Sequence, residues 1–150
     1  MLNSANKLIG IFSVAVPGET RIVRGLGPEL VDQFNWFNAT WWNIFNANWS
    51  EGGGWLISNG NNGNLSRDNF WVLGQKYEIR VQITAVAGLF YGPYDGFVNG
   101  LVTGVAGWYV YEYTPSLLPP TPSLYISSAL FNGTLRALSI KSVLLNDVDD

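Results

Sequence analysis

The chain has 150 residues and a formal net charge of −3; 47% of its residues are hydrophobic, 15% aromatic and 13% charged, with no histidine and no cysteine. That length suits one domain with a sizeable core, and the low charge and many rings exclude a disordered chain or an electrostatic nucleic-acid binder. The absent residue types exclude zinc fingers, thiol catalysis, Ser-His-Asp triads and a disulfide framework.

In chain order, the apolar run 8–16 contains Gly10 and Ser13 and leads into Pro17-Gly18. It is too short for a membrane span or the apolar centre of a secretory leader, so a strand is expected that forms a hairpin with 20–24. Gly25, Gly27 and Pro28 then make a boundary: residues 1–28 are expected as an N-terminal arm or hairpin and 29–150 as the main domain. Further strands are expected at 41–45, 54–58 and 65–72. Segment 76–86 alternates strictly, with Tyr77, Ile79, Val81, Ile83 and Ala85 against Glu78, Arg80, Gln82 and Thr84, the mark of a strand with one buried face. Strands at 97–102, 108–113, 124–130 and 134–145 complete the set.

The separators are Asn59-Gly60, Asn62-Gly63, Asn99-Gly100, Asn132-Gly133 and the proline-rich stretch 115–122. Asn-Gly supplies the positive φ of tight turns. The fold class expected is therefore all-β: a jelly-roll β-sandwich of about nine or ten strands with an N-terminal extension.

Six of the seven tryptophans fall between Trp36 and Trp71, among many asparagines. A sugar presents an apolar C–H face and a hydroxyl edge, so a ring beside amides suits it. Trp41, Trp42 and Asn43 form the candidate glycan platform. If Trp41 and Trp42 both lie in a strand they point to opposite faces, and one ring then needs a partner, a covering loop or a ligand. Glu51, Asp68, Asp95 and Glu112 could supply a carboxylate pair for glycoside hydrolysis, but no local motif supports one, and no catalytic residue is assigned. No Asp-x-Asp-x-Asp-Gly loop occurs, and a calcium site assembled from distant carbonyls and carboxylates would leave no local motif; no metal or other cofactor is assigned, and neither nucleic acid nor membrane is expected as a partner.

Glu29-Leu30-Val31, Trp49-Ser50 and the run from Gly53 to Gly60, followed by Leu65-Ser66 to Trp71 and Leu73 to Ile83, resemble a carbohydrate-binding-module-like jelly roll found in bacteriophage virion proteins. Phe131-Asn132-Gly133-Thr134 with Leu138 to Val143 resembles its closing strand. The similarity spans about residues 28–145. Between Val31 and Trp49 this chain is longer and more aromatic than that pattern, and its closing strand lacks the Asp often found there. The resemblance implies no sugar-binding residues and moves Trp49 and Trp55 towards the core. What it implies for function is a non-enzymatic virion structural protein, found in the virion after assembly in the host cytoplasm. The leading expectation is a capsid decoration (cement) protein, homotrimeric, that contacts the major capsid protein or other virion proteins. Its expected anchors are Leu8, Ile9, Ile11 and Phe12 with Trp36, Trp41 and Trp42. The alternative is a glycan-binding module of a phage tail or fibre.

Overall fold

The computed structural model describes residues 20–45, 48–115 and 122–149. The strands are β1 (Thr20–Glu29), β2 (Ile44–Phe45), β3 (Trp49–Gly52), β4 (Trp55–Asn59), β5 (Gly63–Arg67), β6 (Tyr77–Tyr94), β7 (Val102–Thr103), β8 (Gly107–Tyr113) and β9 (Leu124–Asp149). One 3₁₀ turn, Ala39–Trp41, is the only helical element among the described residues. All strands join one antiparallel sheet, in which β9 pairs with β1, β4, β5 and β6, while β6 also pairs with β7 and β8. The architecture is all-β, as the alternation and turn signals predict.

Two long strands turn this sheet into a sandwich by changing which side they bury. Along β6 the inward residues are Tyr77, Ile79, Val81 and Ile83, and then Phe90. Odd positions face the core in the first half and an even one in the second. The pairing of β6 with β9 slips between Gln82 and Ile83, between Ala85 and Ala87, and between Ala87 and Leu89. Each extra residue reverses the facing of everything beyond it. β9 does likewise, burying Leu124 and Ile126, then Phe131 and Leu135, then Leu138 and Ile140. Both halves thereby send apolar side chains into one core, where Ile79, Val81 and Ile140 join Leu65, Ile126 and Phe90. A sheet that encloses its own core on both halves is a sandwich.

Several expected boundaries move. Asn132-Gly133 is not a turn, because β9 runs straight through it. Gly133 is there for close approach: a Cβ on it would lie 2.2 Å from the Thr84 carbonyl oxygen and 2.6 Å from the Phe131 ring. The boundary drawn at Gly25, Gly27 and Pro28 falls inside β1, which pairs with β9 from Thr20 to Glu29. Segment 65–72 stops being a strand at Arg67, and Asn69 takes a φ of 53°. Beyond it the amides of Phe70 and Trp71 both donate to the Pro122 carbonyl. β3 has no counterpart in the sequence reading. Leu8, Ile9, Ile11 and Phe12, and the hairpin across Pro17-Gly18, lie outside the described residues.

The tryptophan-rich segment is a cap and not a strand. Glu29 fixes its start by accepting from Ser139 Oγ (2.6 Å), the Ile140 amide (2.8 Å) and the Val31 amide (3.2 Å). Trp36, Trp41 and Trp42 then turn inward, only 4%, 8% and 5% exposed. Trp41 and Trp42 stand edge to face with centroids 4.9 Å apart, and the Trp42 indole N–H donates to the Trp36 carbonyl at 2.8 Å. The 3₁₀ turn lets adjacent rings bury on one side, which an extended strand forbids.

Candidate functional site

This burial corrects the expected platform: the rings of Trp41 and Trp42 pack into the core, and Asn43 beside them accepts the Asp68 amide on its side-chain oxygen. Trp36 is likewise a core ring and offers no anchor surface. Trp49 is buried, in line with the resemblance, whereas Trp55 is exposed beneath the Arg136 guanidinium, whose Cζ lies 3.7 Å from the ring centroid. The four acids considered for hydrolysis sit in different surroundings. Glu51 accepts the Ala39 amide, Asp68 accepts from Ser123, Glu112 is paired with Arg24 and Lys76, and Asp95 is buried. Arg24 holds the Glu112 carboxyl below the ordinary carboxylate range, first through their hydrogen bond. A general acid needs the opposite shift. Among the described residues no group of three acidic side chains gathers as a metal site.

A candidate site lies elsewhere, where the second half of β6 meets β5 and β9. A groove of about 440 Å³ opens between Tyr91, Tyr94, Phe97, Asn64, Asn99 and Ser127. Register sets its floor: Asn64 pairs with Ser127 across β5 and β9, and Ser127 pairs with Tyr91 across β9 and β6. The Tyr94 hydroxyl lies 2.8 Å from Ser127 Oγ.

Phe97 forms the rim and is 68% exposed. The loop after β6 is built to hold it there. Asp95, 1% exposed, accepts the amides of Phe97 (2.9 Å) and Val98 (3.0 Å) on one carboxylate oxygen. The Tyr113 hydroxyl donates to the Val98 carbonyl at 2.6 Å and accepts the Asp95 amide at 3.0 Å. The Tyr111 hydroxyl donates to the Pro93 carbonyl at 3.0 Å. Gly96, at a φ of +91°, presses against the Tyr125 ring, which a Cβ would meet at 2.8 Å. The loop is fixed from below by two tyrosines of β8.

Chemically the groove offers an outward aromatic face, two further rings, amides and hydroxyls, and no charged side chain among its lining. The side-chain amides of Asn64 and Asn99 have no intramolecular partner among the described residues. Such a set can stack an apolar face and bond a polar edge, in a volume typical of small-ligand pockets. From the sequence alone none of these residues is a binding candidate: Asn99 belongs to a turn step and Phe97 opens the strand expected at 97–102, of which only Val102 pairs, in β7. The signal available was an aromatic inside a turn cluster, Asp95-Gly96-Phe97-Val98-Asn99-Gly100.

Comparison with known proteins adds little to this geometry. No family model matches the chain, and no curated protein matches it. One solved structure, described as "CBM4 structure and function", is similar with a TM-score of 0.32 and 14% identity, covering 84% of this chain and 87% of that one. A likeness this slight says nothing of what this chain binds.

Proposed function

We propose that this is a non-enzymatic carbohydrate-binding protein that takes a neutral saccharide in the Phe97 groove. The carrying observation is Asp95. Placing a carboxylate inside a core costs free energy unless it is hydrogen-bonded, and here its bonds keep a phenylalanine in water. A sugar's C–H face on Phe97, with its hydroxyls on Asn64 and Asn99, gives that arrangement a use. The test is a panel of neutral oligosaccharides followed by calorimetry on the hits. Phe97→Ala is expected to weaken binding roughly tenfold or more, about 1.4 kcal/mol, with an unchanged unfolding midpoint. A broad panel without a binder, or a hit indifferent to Phe97→Ala, overturns the reading.

A second reading, the capsid decoration protein that clamps neighbouring capsid subunits as a homotrimer, has one observation in its favour. Val86, Leu89 and Leu130 are exposed where β6 and β9 change face, and Val105 is exposed beside Gly104, which packs against Gly88. Apolar surface of this kind suits burial against a partner. Light scattering and capsid occupancy test it. A monomer that leaves capsids bare, or full occupancy after deletion of residues 1–24, counts against it.

A further inference from the structure

The outward face of the first half of the sandwich carries a second groove, of about 300 Å³, whose lining has a different character. Register sets out the face in rows: Trp108, Gln82 and Ala137 in one, Val110, Arg80 and Ser139 in the next. Arg136 is the residue passed over where the pairing slips, since Gln82 faces Ala137 and Ile83 faces Leu135. A bulge re-aims a side chain and costs ladder pairing, and this one puts a guanidinium at the groove's edge. The Arg136 Cζ lies over the Trp55 ring, 3.7 Å from its centroid, and Arg136 Nε donates to Thr134 Oγ1 at 3.1 Å. These contacts use Nε and leave the terminal nitrogens without an intramolecular partner among the described residues.

Charge is what sets this groove apart. Arg24, Lys76 and Arg80 each pair with Glu78 or Glu112, whereas Arg136 has no carboxylate partner among the described residues. Trp108, 60% exposed, lines the same groove. Gln33 also lines it, held by its donation to the Leu138 carbonyl at 3.0 Å. A stacked, unpaired guanidinium matches a carboxylate with two parallel bonds, and an exposed indole beside it matches an apolar ring face.

We propose that this groove is a separate site for an acidic saccharide, with the uronate carboxylate on Arg136 and the sugar's C–H face on Trp108. It shares no residue with the Phe97 groove and stands or falls independently of it. The full chain is titrated with tetragalacturonic acid, with its methyl ester and with a tetraglutamate peptide, followed by calorimetry and indole fluorescence. Expected are binding of the acid alone, a steady loss of affinity with added salt, and at least a tenfold loss in Arg136→Gln. Arg136→Lys keeps the charge without the fork and should fall between, which keeps the test open if the glutamine variant folds poorly. Phe97→Ala should leave this binding untouched. Equal binding of the ester, or no effect of either Arg136 variant, overturns the site. A tetraglutamate that binds as tightly as the tetrasaccharide overturns the assignment to sugar.

Discussion

The α-carbon of Gly88 faces the carbonyl of Leu130 so closely that a methyl group built on it would lie 2.0 Å from that oxygen. Both residues have positive φ, +76° for Gly88 and 55° for Leu130. They meet across the place where β6 and β9 change their buried side, so the sandwich depends on backbones that approach without side chains between them. Gly88→Ala is expected to destabilise by about 2–4 kcal/mol, combining the left-handed strain with the clash. Gly133→Ala should behave similarly, because its Cβ would meet the Thr84 carbonyl. Gly25→Ala, with open space around it, should change stability by no more than about 0.5 kcal/mol. Urea midpoints of the three variants check this, and three equal values would refute it.

Trp42 belongs to the cap over the core, and its removal should act on folding alone. Trp42→Ala empties a buried indole site and orphans the Trp36 carbonyl, for an expected loss of about 3–5 kcal/mol. Saccharide affinity per folded molecule should stay the same. Calorimetry on the folded fraction separates the two effects, and a loss of affinity without a loss of stability would restore Trp42 as a binding ring.

How much of this was readable beforehand differs from element to element. The alternation from Tyr77 to Ile83 and the strand from Trp108 to Tyr113 could be read directly, because one face is wet and the period is clean. The continuity of β9 could not. Asn132-Gly133 looks like a turn, yet its glycine is required by a carbonyl on another strand, a contact that no local pattern encodes. Trp41 and Trp42 misled for the opposite reason: ring-rich segments have no visible period, so a cap and a strand look alike. Phe97, Val98, Leu101 and Val102 read as a strand, yet the run is a loop as far as β7, which begins at Val102. What fixes the loop, Tyr111 and Tyr113, comes from a strand fourteen or more positions later.

Asp95 should be worth more to binding than its place in the core suggests. Asp95→Ala leaves the Phe97 and Val98 amides without their acceptor, at an expected cost of about 2–3 kcal/mol. Asp95→Asn keeps an oxygen in place and should cost less. In both, the neutral saccharide should bind more weakly than in wild type, because the ring it stacks on is no longer held. Amide exchange at Phe97 and Val98 should quicken in the same order. Unchanged exchange in Asp95→Ala would show that the loop is held by other means.

The same anchor makes the protein sensitive to alkali. Burial pushes the Tyr113 phenol well above its ordinary value, and the Asp95 carboxylate adds to this against the lowering effect of the Asp95 amide. Burial also raises Tyr111, with a smaller contribution from Tyr113. An unfolded tyrosine releases its proton near pH ~10, where the folded protein still keeps both. The stability tied to these protons is therefore complete below about pH 10 and is lost as the pH rises further, because the unfolded chain alone sheds them. Tyr113→Phe should lower stability at neutral pH by about 1 kcal/mol, through its lost hydrogen bonds, while flattening the alkaline decline. Tyr111→Phe should flatten it further, and the double variant most of all. Urea midpoints taken from about pH 8 to 12 give the slopes directly. A double variant that declines as steeply as wild type would place the alkaline sensitivity outside the Phe97 loop.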